Sequence, residues 1–158
     1  MLIRYSGITL EEFGNIIGVS KRWVQYLKKS TYDFDISAIE RASIFFNVAF
    51  AKLTTALIIP PNNYRKTLQL HHKNNTEYSK ILSENPSIPY LIEFILMKDG
   101  EFTTTPKMEI KDIRRILKKY ELIYDGSSLS TELQKSEFVE CWSHPTKKKT
   151  NLYRAKKQ

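Results

Sequence analysis

The chain is poor in the residues that build metal, redox and phosphate-loop chemistry. Cys141 is its only cysteine in 158 residues, so no internal disulfide can form and a thiolate zinc site is excluded. Glycine occurs five times, nowhere as a Gly-rich loop ahead of a Gly-Lys-Ser/Thr, so there is no nucleotide cradle. Long apolar runs are missing too. Ala56-Leu57-Ile58-Ile59 stops at Pro60-Pro61, far short of the ~20 residues that cross a bilayer. With no signal peptide visible either, the sequence predicts a cytoplasmic protein with no membrane partner. Acidic residues are outnumbered, 17 against 25 Lys and Arg, giving a formal net charge of +8 and a pI near 9.5. That balance favours a phosphate backbone as partner.

Clustered carboxylates for metal ions are also lacking, as is a nucleophile with basic partners. Glu11 and Glu12 are adjacent at the start of a predicted helix, where the helix dipole accounts for them. His71 and His72 are neighbours, which point in different directions on a helix and share a metal poorly. The pattern predicts surface histidines. His144 has no ligand cluster beside it. The expectation is therefore no enzyme, no cofactor and no metal.

What the chain does have is a pair of short amphipathic helices joined at a glycine. Leu10, Phe13, Ile16 and Ile17 recur at the intervals of one helical face, and Val24 and Leu27 form the inner face of a second helix. Gly14 permits close approach of the two. Gly18 sits where the chain leaves the first helix, a place where a left-handed backbone costs glycine little. Ser20 is placed to cap the second helix. A capped helix end of this kind is what enters a major groove.

These residues resemble the helix-turn-helix of the Cro/CI (XRE-like) repressors, whose small residue, turn glycine and two buried aliphatics fall on Gly14, Gly18, Val24 and Leu27. Residues 35–48 look like that family's next helix, followed by Phe50-Ala51-Lys52-Leu53. The resemblance covers about the first third of the chain and implies a DNA-reading helix. Its base-facing side chains would be Lys21, Arg22 and Tyr26, with Ser20 and Gln25 near phosphate or base edges. The family has a full helix before the motif, whereas here only eight residues precede it. Either the domain is trimmed or a later segment covers its exposed side. A helical hairpin that packs on a partner protein is the alternative reading of the same residues.

Pro60-Pro61-Asn62-Asn63 starts a polar interval, so residues 61–86 are expected to be a connector, helical over 64–83 but interrupted near Asn74-Asn75. From residue 87 the character changes. Residues 89–97 form an apolar helix with proline at its start and Gly100 just past its end. Phe102-Thr103-Thr104-Thr105 is β-prone. Ile110, Ile113, Ile116 and Leu117 give an amphipathic helix, and a third helix is predicted over 128–136. Two β-prone runs, 138–142 and 151–155, flank Lys147-Lys148-Lys149.

Helix, short strand, two helices and a hairpin with a basic tip is the order of a winged helix-turn-helix, and residues 133–140 look like the passage from recognition helix to wing in MarR-like and PadR-like regulators. The likeness implies DNA contacts from Ser128, Ser130, Thr131 and Gln134, and from Lys147, Lys148 and Lys149 at the wing tip. The stretch 120–126 is long for the turn, and the recognition helix offers no arginine, which leaves a protein-contact role open.

The sequence thus predicts a mainly α protein with an N-terminal helix-turn-helix bundle (1–60), a connector (61–86) and a C-terminal winged-helix domain with a small β-hairpin (87–158). The expected function is sequence-specific binding of double-stranded DNA, as a transcriptional regulator or repressor acting by operator occupancy. Alternatives are a replication, partition or excision accessory protein of a mobile element, or a protein-interaction adaptor that has lost DNA binding. A homodimer formed through helix 64–83 or helix 89–97 would supply two half-site contacts.

Overall fold

The computed structural model describes residues 1–29 and 33–156, with the side chains of Leu27 and Lys28 also outside the described residues. It is mainly helical with one small antiparallel sheet. The chain divides into two units, Met1–Ser87 and Ile88–Gln158, each with its own core.

The first unit contains seven helices among the described residues: α1 (Leu2–Ser6), α2 (Leu10–Ile17), α3 (Lys21–Lys28), α4 (Ile36–Phe46), α5 (Phe50–Thr55), α6 (Tyr64–His71) and α7 (Thr76–Ser83). Phe13, Ile17, Phe45 and Phe46 form the centre of its core. The interval 61–86 is not a connector. Tyr64, Leu68 and Leu82 are buried in the same core, so α6 and α7 add to the cover that the nine residues before α2 begin. The two helices are separate, because the chain turns at 72–75 and Asn75 caps α7 by accepting a hydrogen bond from the Tyr78 amide at 3.0 Å.

Three buried polar side chains tie this cover down. The Arg65 guanidinium donates to the carbonyls of Ser6 at 2.7 Å, Leu82 at 2.9 Å and Glu84 at 2.8 Å. Tyr64 donates its hydroxyl to the Phe46 carbonyl at 2.5 Å, and burial raises its pKa. His72, expected at the surface, is buried: its Nε2 lies 2.7 Å from the Phe45 carbonyl and its ring stacks on Phe45 at 5.6 Å. Only His71 of the pair is exposed, its ring meeting that of His72 edge-on at 4.6 Å.

The second unit runs α8 (Ile88–Phe94), a 3₁₀ turn (Leu96–Lys98), α9 (Gly100–Thr104), α10 (Ile110–Lys118), α11 (Gly126–Lys135), β1 (Val139–Ser143) and β2 (Asn151–Ala155). β1 and β2 pair antiparallel with Cys141 opposite Tyr153. Met108 adds a single bridge on the other side of β2, its amide donating to the Tyr153 carbonyl at 3.0 Å and the Tyr153 amide donating back at 2.9 Å. The β-prone run 102–105 is mostly helical instead. Asp99 caps α9 by accepting from the Phe102 amide at 3.0 Å, and the hydroxyls of Thr103 and Thr104 bond back to the carbonyls of Asp99 and Gly100. Local capping outweighs β-propensity there, and the strand position moves on to Met108.

Candidate nucleic-acid interface

The α2–α3 pair is fixed by its own short-range chemistry. Thr9 opens α2 with a reciprocal cap: its hydroxyl oxygen accepts from the Glu12 amide at 3.1 Å, while its own amide donates to the Glu12 carboxylate. Such a box satisfies two orphan amides of the first turn. At the other end Gly18 takes the left-handed conformation, φ 76°, and the amides of Gly18 and Val19 donate to the carbonyls of Asn15 and Gly14 at 3.2 and 2.8 Å. Ser20 then caps α3, its hydroxyl oxygen accepting from the Trp23 amide at 3.2 Å. A Cβ on Gly14 would lie 2.7 Å from the Val19 carbonyl oxygen and 3.4 Å from the Val24 side chain. The turn therefore closes onto α2 as tightly as a bare backbone allows.

Arg41 of α4 locks the junction. Its Nε donates to the Ile17 carbonyl at 2.8 Å, and Nη2 reaches the same oxygen, so a guanidinium sits on the C-terminus of α2, where the helix dipole favours positive charge. The sequence reading passed over this residue, since the contact spans 24 positions.

With Val24 buried inward, α3 turns Lys21, Arg22 and Gln25 outward, all exposed, with Tyr26 half-buried beside them. Positions i, i+1, i+4 and i+5 form one helix face. Arg22 is held along the helix, its Nε donating to the Tyr26 hydroxyl at 2.8 Å and its guanidinium 5.6 Å from that ring's centroid. Trp23 packs edge-on against Tyr26 at 6.4 Å and remains 38% exposed, so it is not an anchor in the core. Lys21 meets Glu11 at 3.3 Å, an open pair with both side chains more than half exposed, which holds the ammonium only weakly. Arg22 is thus pre-oriented and Lys21 is available.

In the second unit the candidate residues divide. Asp125 caps α11, accepting from the Ser128 amide at 2.8 Å; that hydrogen bond is the largest influence lowering the Asp125 pKa. Ser128, Thr131 and Gln134 are exposed on one side of α11. Ser130 is not, because its hydroxyl bonds the buried Tyr153 hydroxyl at 2.6 Å, and Gln134 Nε2 reaches Ser130 at 3.1 Å. Thr131 bonds back to the Ser127 carbonyl at 2.9 Å. Ser130 is a strut between α11 and β2 rather than a contact for a ligand.

The three lysines of the hairpin loop do not act as one cluster. His144 Nδ1 accepts from the amides of Thr146 at 3.2 Å and Lys147 at 3.1 Å, curling the loop so that Lys147 folds back onto Glu109 at the start of α10. Lys111 approaches the same carboxylate at 3.5 Å. The Lys147 hydrogen bond is the main reason that the Glu109 carboxyl is held below its ordinary pKa. Lys148 and Lys149 stay exposed. A lysine run in sequence says nothing of a carboxylate 38 residues away.

Of the helices expected to support self-association, α6 presents Leu70, 65% exposed. Leu68 and Leu82, and Leu91 and Ile92, are buried in the cores of their own units. No group of three or more potential metal ligands gathers among the described residues, and no helix among them is long and apolar enough to cross a membrane. Comparison with protein families, with curated proteins and with solved structures finds no match.

Proposed function

We propose that this chain is a sequence-specific double-stranded DNA-binding protein and a transcriptional regulator, reading DNA through α3 as the second helix of a helix-turn-helix. One observation carries the reading: the capped α2–α3 corner, closed by Gly14 and Gly18, leaves Lys21, Arg22 and Gln25 outward on one face with Arg22 oriented by Tyr26. A planar guanidinium held this way suits the O6/N7 edge of guanine. The net charge of +8 supplies the non-specific attraction on which such reading depends.

The second unit supports a weaker, positioning contact. The order α8, α9, Met108, α10, α11, β1, β2, with Met108 and β1 on either side of β2, suits a winged helix-turn-helix with one short extra helix, and Lys148 and Lys149 would touch the sugar-phosphate backbone. With Ser130 and Lys147 engaged internally, this unit offers few side chains for base reading. It adds affinity and salt dependence. Selection from a random duplex pool tests the proposal: a reproducible motif of a few base pairs is expected, and no enrichment at low salt would refute it in favour of the adaptor reading.

A further inference from the structure

The DNA reading leaves unused the basic side of α10. Lys111, Arg114, Arg115, Lys118 and Lys119 crowd the outward side of that helix and its C-cap, opposite the buried Ile113, Ile116 and Leu117. The structure sorts them. Glu101 of α9 takes Lys119 and Arg115, whose hydrogen bonds hold its carboxyl below its ordinary pKa. Lys111, Arg114 and Lys118 are left as an exposed row at i, i+3 and i+7, which is one face of a helix. Neither Arg114 nor Lys118 forms an ion pair among the described residues, and Lys111 only approaches Glu109 at 3.5 Å with 69% of its own side chain open.

Folding does not explain the row. The helix dipole favours Lys118 in the last turn, but it opposes Lys111 in the first. Like charges three and four residues apart also destabilise a helix, a cost that a partner of opposite sign removes. The row spans about 10 Å at ~1.5 Å per residue, which suits a partner with negative charges repeated along a line. α10 contains no aromatic residue, so unpaired bases would find nothing there to stack on. Two contacts place the row beside the elements already assigned to DNA. Lys111 and the hairpin-loop Lys147 meet at the same Glu109 carboxylate. A Cβ on Gly126, the first residue of α11, would have the Arg114 side chain as its nearest neighbour at 3.9 Å. We propose that Lys111, Arg114 and Lys118 are a docking face for the sugar-phosphate backbone of duplex DNA, extending the contact of the hairpin loop along α10. The proposal rests on duplex DNA as the partner but not on base reading by α3.

The test is the anisotropy of a fluorescein-labelled random duplex titrated with the full chain across about 50–200 mM salt. Lys111→Ala/Arg114→Ala should flatten the log-log salt dependence by about one to two units, at ~0.9 per phosphate contact, and adding Lys118→Ala should take it about one unit further. Lys66→Ala/Lys73→Ala removes the same charge from exposed positions of the first unit and should leave the slope unchanged. Because Lys111 and Arg114 do not serve the fold, their double variant should melt no lower than the parent. An unchanged slope, an equal change in both double variants, or a lower melting temperature of the α10 variant would overturn the proposal. A loss confined to duplex RNA would overturn it as well, by assigning the row to RNA. The two readings fail separately: if no motif can be selected, the row is still tested on random duplex, and if the row fails, a selected motif still stands. A parent that binds no duplex at low salt would overturn both.

Discussion

Gly14→Ala is the sharpest perturbation of the α2–α3 corner, because two effects of opposite sign act at one atom. Inside a helix, alanine is favoured over glycine by about 1 kcal/mol. Against that, the new Cβ would stand 2.7 Å from the Val19 carbonyl oxygen, well inside ordinary contact. The clashing atom is backbone, held by the Val19 amide bond to the Gly14 carbonyl at 2.8 Å, so no rotamer change relieves it. Overpacking costs about 1–3 kcal/mol, and a rigid neighbour places this case at the upper end. The net expectation is a loss of about 1–2 kcal/mol, or a fall in Tm of the first unit of roughly 4–16 °C at ~4–8 °C per kcal/mol. Gly100→Ala is the internal control. Nothing lies within 4 Å of its Cβ, so it should be neutral or stabilising by up to ~1 kcal/mol. The two units carry one tryptophan each, Trp23 and Trp142, so denaturant titration of Trp142→Phe variants by fluorescence follows the first unit alone, with Gly100→Ala read by the converse Trp23→Phe background. Gly14→Ala as stable as its parent would mean that the corner is not tightly closed.

Arg41→Ala removes a charged hydrogen bond from the last turn of α2 and should cost the first unit about 1.5–3 kcal/mol in the same titration; a loss below ~0.5 kcal/mol would mean that water replaces the guanidinium on the Ile17 carbonyl. Asp99 is pushed up by burial but held net below its ordinary pKa by the Phe102 amide, the Tyr120 hydroxyl and Lys119. Its folded pKa lies below the unfolded value near ~3.9, so its contribution is complete above that value and is lost as pH falls through the lower folded one. Asp99→Ala should therefore destabilise the second unit at pH 7, by about 0.5–2 kcal/mol for the lost cap, and by progressively less in acid; a pH-independent difference would contradict this. Lys148→Ala/Lys149→Ala should flatten the log-log salt dependence of DNA affinity by up to about two units at ~0.9 per phosphate contact, leaving base preference unchanged, while an unchanged slope would place the hairpin loop away from DNA.

The features that carry the proposed site were legible where they are local. Gly18 and Ser20 act within four residues of themselves, and Gly14, Val24 and the outward α3 face follow from helical spacing, whereas the equally local Thr9–Glu12 cap was not read. What else escaped is long-range. The polar interval 61–86 reads as a connector because Leu68 and Leu82 are thinly spread over two short helices, yet Arg65 bridges Ser6 to Leu82 and Glu84. Hydropathy rates an arginine as solvent-facing, although a guanidinium with three carbonyl acceptors is satisfied in a core. His72 was misplaced for the same reason, its partner being the Phe45 carbonyl 27 residues earlier. In the second unit, the Ser130–Tyr153 hydrogen bond ties one candidate residue into the fold, and the Lys147–Glu109 pair engages a second while leaving it exposed. Neither leaves a trace in local sequence.

The central claim is that α3 reads bases, and the most direct measurement is the affinity of the Lys21→Ala/Arg22→Ala variant for a duplex selected by the parent protein, set beside its affinity for random duplex at the same salt. Loss of one bidentate guanine contact costs about 1–3 kcal/mol, so binding to the selected site is expected to weaken by about 5- to 150-fold, with a smaller loss on random duplex and unchanged thermal stability. Equal affinity of parent and variant for the selected duplex would contradict the account.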